Sequence, residues 1–318
     1  MSAGKTVSAG IAGQDHSPLI SVIVTCFNQE GFIRDAVDSV LNQSWKKLEC
    51  IIVDDGSTDN SCRVIQELQA ADERIRVILQ SNAGVSAARN AGFREAGGAF
   101  IQFLDGDDLL GQGKLAAHLR QFADAPECSV AYGDHDFLDM RTGRTTFFGT
   151  TRLDAEPLKQ MLTQWFDGAS LPIHAGLFRR SIWGEGEVPF PTDYGGRCED
   201  WIFLVNVAKR GAIFCGLPVV LCTYRVGVAG FTDSSLKWNV SALEAAVYIN
   251  AGLDSSWQQR FLRDFFSRTL QRYVQLKKGE ILHASWNWKL GNALTLPVFR
   301  VLKLARRLKA GWKARGGN

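Results

Sequence analysis

No uninterrupted apolar run in this 318-residue chain approaches the ~20 residues needed to cross a bilayer. The first 17 residues, rich in Ser, Gly and Ala, also lack the apolar core of a signal peptide, so a flexible start on a cytoplasmic protein is expected. The seven cysteines, at 26, 50, 62, 128, 198, 215 and 222, form no CxxC pair, and several lie in apolar stretches. That spacing excludes a familiar zinc site and predicts buried, reduced thiols with no disulfide framework. No GxGxxG follows the first apolar run, which argues against a nicotinamide-dinucleotide fold. No acidic residue follows Glu280: the segment beyond it carries +8 and residues 1–280 carry −5, within a total of +3. Internal repeats and low-complexity tracts are absent from the sequence.

What is present, 46% hydrophobic and 22% charged residues, describes a globular chain with one large domain or one domain and an appendage. Residues 19–25, LISVIVT, read as a strand buried on both faces. Asn28 to Gln43 then sets Phe32, Ile33, Ala36, Val37, Val40 and Leu41 on one helical face. Strands are predicted at 48–53, 75–79 and 99–104, with helices between them, one capped by Thr58 or Asp59 and one starting at Gly84. This alternation predicts an α/β fold built on an open, mostly parallel sheet with helices on both faces. Further on come a helix from Gly113 to Phe122, a strand near Cys128 to Tyr132, and a loop-rich stretch 133–197 with a short helix around 157–166. A helix over 200–209, a strand over 219–224 and helices over 240–249 and 257–276 complete the prediction.

In such sheets ligands lie beyond the carboxyl ends of the strands, where Thr25 to Asn28, Asp54-Asp55, Ser81-Asn82 and Asp105 to Asp107 all fall. The segment AFIQFLDGDDLL ends a strand in three carboxylates, Asp105, Asp107 and Asp108, around one glycine. Crowded carboxylates repel and raise one another's pKa, which implies open solvent or a bound cation. The hard oxygen set favours Mg²⁺ or Mn²⁺ shared with substrate phosphates. Asp107 is the direct ligand in this reading, Asp105 touches the ribose or binds the ion through water, and Asp108 caps the next helix. Asp54-Asp55-Gly56-Ser57 is either turn chemistry or a place where Asp55 accepts a pyrimidine N3–H. Phe27 is either a core aromatic or the surface on which that base stacks. Arg89, amid the small residues of SNAGVSAARNAG, either reaches a phosphate, orients a carboxylate or faces solvent. Glu199-Asp200 are helix-start acids, or a general base for an attacking hydroxyl. His135, Asp136 and His174 are candidates for acceptor contact or for structural roles.

Taken in order, SVIVTCFNQEGFIRDAVDSVLNQS, ECIIVDDGSTDNS, NAGVSAARNAG, FLDGDDLL, CEDWIF and LCTYR resemble the family-2 glycosyltransferases of the GT-A fold over about residues 19–225. The resemblance implies base and nucleotide contacts by Thr25, Phe27, Asp55, Asn82 and Arg89, with Asp105 and Asp107 as the DxD pair and Asp200 as the base. It implies an inverting transfer from a nucleotide-sugar donor, a UDP-sugar, to a hydroxyl of a glycan or lipid-linked acceptor in surface polysaccharide assembly. A GT-A domain over 18–235 is implied, with a nucleotide half to about 125 and an acceptor half from about 126, followed by a helical region over 236–318. Two family features are missing. No histidine stands shortly after the strand end at Tyr224-Arg225-Val226-Gly227, and the QxxRW signature of processive synthases is absent. Addition of one or a few sugars is therefore expected.

After Pro297 the residues Val298, Val301, Leu302, Ala305, Leu308 and Trp312 share a helical face flanked by basic residues. With Trp286 and Trp288, the 286–315 segment suits peripheral contact with an anionic membrane surface, or else packing on its own domain or a second subunit. No nucleic-acid partner is expected. The alternative functions are a sugar nucleotidyltransferase and a non-catalytic nucleotide-binding scaffold. The first would carry a basic glycine-rich loop after the first strand, and Thr25 to Gly31 has neither Lys nor Arg.

Overall fold

A computed structural model describes residues 17–149, 153, 156–165, 171–194, 197–227, 235–258, 260–265 and 267. The expectations for the N-terminal segment before Ser17, the helix beyond 267 and the basic 286–315 tail lie outside the described residues.

Strand and helix alternate through the first third of the chain as β1 (Ile20–Cys26), α1 (Ile33–Leu41), β2 (Leu48–Asp54), α2 (Ser61–Ala71), β3 (Ile75–Leu79), α3 (Val85–Glu95) and β4 (Phe100–Asp105). There follow β5 (Leu109–Leu110), α4 (Lys114–Asp124), β6 (Val130–Asp139), β7 (Thr145–Phe148), α5 (Pro157–Gln164), β8 (Gly176–Arg179), α6 (Glu199–Lys209), β9 (Phe214–Val226) and α7 (Ser235–Ala251). Among the described residues the strands form one sheet in the order β3-β2-β1-β4-β8-β6-β9-β5, with β7 paired to β6. The first four strands are mutually parallel, as predicted, whereas β8 pairs antiparallel with both β4 and β6.

The apolar runs follow from burial on both faces of the parallel half. Side chains alternate along a strand, so Val22, Val24, Cys50, Ile52 and Leu104 join a core beneath α1, α2 and α4. Ile23, Ile51, Val53, Ile101 and Phe103 enter the opposite core, with α3, α5, α6 and α7. Gly92 permits the close seating of α3: a Cβ there would collide with Ile23 Cγ2 and lie 3.2 Å from Val53 Cγ2.

Two expectations are corrected. The stretch 133–197 is not a loop-rich wall throughout, because it holds the rest of β6 and all of β7 and β8. Cys128 and Cys215 are joined as a disulfide across 87 residues of sequence, so the thiols are not all reduced. Parallel pairing of β6 with β9, which sets Ala131 opposite Cys215, brings the two cysteines together. Cys26 and Cys50 are free, and burial pushes each thiol up to about 12, which leaves them inert packing groups.

Gly92→Ala should lower stability by about 1–3 kcal/mol through overpacking, outweighing the ~1 kcal/mol gained in helix propensity. Urea denaturation monitored by circular dichroism measures the difference, and a stabilised variant would contradict the close α3–sheet contact.

Candidate active site

Strand order creates the site. From β1 the chain winds outward through β2 and β3, then returns across β1 to β4, leaving a crevice at the carboxyl ends of β1 and β4. Thr25 pairs with Asp105 across that crevice, and the Thr25 hydroxyl donates to Asp105 Oδ1 at 3.1 Å.

On the β2 side, Asp55 is buried and its carboxylate accepts from Gln80 Nε2 (2.7 Å), Ala83 N (2.8 Å) and Gly84 N (2.9 Å). It thereby holds the Asn82–Gly84 turn in place, with Asn82 exposed at the rim. Phe27 is 45% exposed, so it is not a core aromatic. Leu79, at the end of β3, and Val85, opening α3, are also exposed apolar side chains flanking the Asp55 turn along the chain. The loops after β1 and β2 are laced together. Asn28 Oδ1 accepts from Thr58 N (2.7 Å), Gln29 N donates to Ser61 Oγ (2.8 Å), and Glu30 Oε2 accepts from Asn60 N (2.8 Å). Asp59 Oδ1 accepts from Ser61 N at 2.9 Å, but the N-cap of α2 is Asn60, whose side chain makes no capping bond, so neither Thr58 nor Asp59 is the cap that the sequence suggests.

The acidic loop after β4 is turned back by Gly106, whose N–H donates to Thr25 O at 2.9 Å. A Cβ on Gly106 would collide with Gln29 Oε1 and come within 2.9 Å of Thr25 O, so only glycine fits this bend. Asp105 is fixed by Arg89, whose Nη2 donates to both carboxylate oxygens at 2.7 and 3.0 Å. Burial opposes its charge, but the Arg89 guanidinium prevails and holds the carboxyl below its ordinary value. Among the described residues Asp107 lacks such a partner: burial and the neighbouring Asp105 charge push it up to about 6.

Asp108 does not cap the following helix. Its Oδ1 accepts from Arg225 N at 2.8 Å, and α4 begins only after Gly113, in the left-handed conformation at φ +77°. Burial, then the charges of Asp107 and Asp105, raise its pKa well above the ordinary carboxylate range. Arg225, itself buried, ties this loop to α1: Nε donates to Asp107 O, Nη1 to Asp35 Oδ2 (3.0 Å) and Nη2 to Phe32 O (3.3 Å).

Behind the loop lies a buried polar layer. Gln102 Nε2 and Lys114 Nζ donate to the carbonyls of His174 (3.0 Å) and Ala175 (3.2 Å), fixing the 3₁₀ turn Ile173–Ala175. His174 stacks on Tyr224, with ring centroids 5.8 Å apart. Its Nδ1 lies 3.2 Å from Asp108 Oδ2 but out of line for a hydrogen bond. Burial pushes His174 down to about 3 and His135 down to about 4, so both rings are neutral at pH 7. His135 and His174 are thus internal, and neither is placed to meet an acceptor.

The base candidate sits across the crevice, at the start of α6. Cys198 adopts a left-handed φ of 64° and turns the chain into the helix. Glu199 Oε1 accepts from Arg89 Nη1 at 3.0 Å, and Trp201 donates its indole N–H to Met161 O at 3.0 Å. Between them Asp200 accepts from Trp201 N at 2.8 Å. Burial, then the Glu199 charge, push Asp200 up to about 7. Arg89 is only 2% exposed, so of the three roles open to it in the sequence it takes that of orienting carboxylates. Arg225 is the partner that sequence reasoning passed over, with a charged residue closing the apolar LCTY run as the available signal, and Glu199, read there as a helix-start acid or base, is the partner of Arg89.

Among the described residues no three His, Cys, Asp or Glu gather into a metal cage. The donor set at Asp105 and Asp107, hard carboxylate oxygens with Asp107 left without a cationic partner among the described residues, fits instead a divalent ion that would draw further ligands from a bound diphosphate.

The family profile of glycosyl transferase family 2 matches residues 21–183. TuaG of Bacillus subtilis, named for teichuronic acid biosynthesis, is 38% identical over 238 residues, spanning 73% of this chain and 87% of that protein. Against two other bacterial relatives the matched stretch spans 27% and 54% of their lengths. S. aureus TarS 1-349 in complex with UDP-GlcNAc has the same fold at TM-score 0.58 and 18% identity, covering 79% of this chain and 72% of that one. The mannosyltransferase PcManGT from Pyrobaculum calidifontis, in complex with GDP-Man and Mn²⁺, gives a TM-score of 0.54 at 17% identity, covering 96% and 77%. The fold is that of the GT-A glycosyltransferases. This chain belongs to glycosyl transferase family 2.

A carboxyl raised to about 6 must lose its proton before it binds a cation. The Tm increment produced by Mn²⁺ with UDP should therefore grow from pH 5 to 7.5 more in the wild type than in Asp107→Asn. Taking the difference between the two proteins removes the ionisation of UDP itself, and equal growth in both would contradict the role given to Asp107.

Proposed function

We propose that this chain transfers a sugar from a UDP-sugar to a hydroxyl of a glycan or lipid-linked acceptor, by an inverting single displacement, in assembly of a surface polysaccharide. The observation that carries the reading is Asp200: a carboxyl pushed up to about 7, at the start of a helix tied through Arg89 to the acid at the end of β4. Such a group is matched to accepting a proton near neutral pH. The exposed apolar Phe27, beside the Asp55 turn, suits stacking of a flat base, and Asp55, Thr25 and Asn82 would line the nucleoside. Asp55 Oδ2 accepts one hydrogen bond, from Gly84 N, and so keeps acceptor capacity for a base N–H.

Asp105 and Asp107 would hold Mg²⁺ or Mn²⁺, which when bound neutralises the charge developing on the departing diphosphate. Asp105 is already oriented by Thr25 and Arg89, while Asp107 contributes the carboxylate that its surroundings leave unbalanced. Asp200 would remove the proton from the acceptor hydroxyl as its oxygen attacks the anomeric carbon from the face opposite the leaving diphosphate. The relative named for teichuronic acid biosynthesis supports a polysaccharide context. A lipid-linked acceptor would bring the chain to a membrane surface, a position the basic, tryptophan-bearing 286–315 sequence suits.

Asp200→Asn should lower transfer by ~10²–10⁴-fold, about 3–5 kcal/mol of barrier, while UDP affinity measured by calorimetry is retained. In the wild type kcat/KM should rise with pH through a midpoint near 7, because the base must be ionised to work. Full activity in Asp200→Asn would remove the base assignment. A wild type that binds no nucleotide, screened over UDP and GDP with Mn²⁺, would remove the donor class.

A further inference from the structure

We propose that Arg89 is a positioning residue for the transfer reaction: its guanidinium, shared between Asp105 and Glu199, sets the first turn of α6 so that Asp200 faces the acceptor hydroxyl. This rests on the functional reading above and extends it from the acids to the cation between them.

Three elements distant in sequence meet on this side chain. Arg89 comes from α3, Asp105 from the end of β4 and Glu199 from the start of α6. Nη2 forks onto both oxygens of Asp105 at 2.7 and 3.0 Å, and Nη1 reaches Glu199 Oε1 at 3.0 Å. The planar guanidinium therefore fixes direction as well as charge, which a lysine ammonium cannot do for two carboxylates on different elements.

The surroundings allow the guanidinium little freedom. Its carbon lies 5.1 Å from the centroid of Phe190, whose ring is stacked on Phe203 of α6 at 4.6 Å. The backbone of Phe190 is in turn held by the side chain of Asn90, the neighbour of Arg89: Nδ2 donates to Phe190 O and Oδ1 accepts from Phe190 N, both at 3.0 Å. A rotation of Arg89 would disturb α3, the segment before α6 and α6 itself.

On α6 the consequence falls on Asp200. The residue before it is pinned by Arg89, and the residue after it is pinned by the Trp201 indole on Met161 O and by stacking against Trp165 at 5.9 Å. Asp200 is thus held from both sides along the chain, and releasing Glu199 frees one of them. A base displaced by about 1 Å costs on the order of 10²-fold in rate with little effect on how the donor binds.

The test compares wild type, Glu199→Gln, Arg89→Lys and the double variant in kcat and donor KM, with UDP affinity in Mn²⁺ by calorimetry and Tm alongside. Glu199→Gln, nearly isosteric and at a helix start, is expected to fold with the wild-type Tm and to lose about 10²-fold in kcat, leaving donor KM and UDP affinity near wild type. Arg89→Lys should lose kcat at least as far and also bind UDP with Mn²⁺ more weakly, because Asp105 is released. The double variant should be no worse than Arg89→Lys, since the two residues act as one unit. Wild-type kcat in Glu199→Gln, a change in KM alone, or multiplicative losses in the double variant would overturn the inference while leaving the transferase reading intact. A wild type that binds no nucleotide and transfers nothing would overturn both. If Arg89→Lys does not fold, Glu199→Gln decides the matter alone.

Discussion

A buried guanidinium is tolerable only when its charge is met, and Arg89 meets two carboxylates from opposite sides of a crevice. The site contains five acids on two short segments, Asp105, Asp107 and Asp108 on one and Glu199 and Asp200 on the other. Among the described residues Arg89 contacts one acid of each segment, and the backbone N–H of Arg225 engages Asp108. Asp107, Asp108 and Asp200 have raised pKa values, each pushed up by burial and then by the charge of neighbouring acids. In each acidic segment Arg89 immobilises one carboxylate, Asp105 or Glu199, and a neighbour, Asp107 or Asp200, has no cationic side chain paired to it among the described residues.

The same division explains the fold around it. Asp105 ends a strand buried on both faces, and its backbone position is set by β1, where Thr25 lies opposite it, while β8 holds the start of the same strand at Phe100 and Ile101. Gly106 must then bend sharply against Gln29 and Thr25, and Arg225 anchors the loop at its far end through the Asp107 carbonyl. Arg225 closes β9, which pairs with β5 immediately after the acidic loop, so the second half of the sheet serves as a brace for the end of the first. The antiparallel strand β8 and the bond from Lys114 to the Ala175 carbonyl support that brace from behind.

Much of the first half was legible because its chemistry is local. LISVIVT and the CIIV of ECIIVDD are apolar runs because both faces of a parallel strand are covered, and an amphipathic helix follows each. The positions of Asp105, Asp107 and Asp200 followed from strand and helix ends. What could not be read depends on pairing between remote segments. β7, TTFF, is an exposed edge strand and β8, GLFR, has four residues, too short for any period to show. The Cys128–Cys215 disulfide needs β6 and β9 in register, and the neutral His174 needs the layer beneath the acidic loop. Phe27 read equally as core or platform, because a residue just past a strand end can point either way.

Motif residues also proved to do more than one kind of work. In NQE and DGSTDNS, the polar side chains of Asn28, Glu30, Thr58 and Asn60 are engaged with the opposite loop, which fixes the backbone on either side of Phe27 and Asp55. Asp55 itself spends three hydrogen bonds on the turn that precedes α3, the helix that carries Arg89. The proposed base-recognition carboxylate and the shared guanidinium are therefore joined through one short turn and one helix. That connection lets a single strand-end crevice hold a flat apolar surface, an acidic loop and the proposed proton acceptor in fixed relation, which is what the proposed transfer between two bound substrates demands.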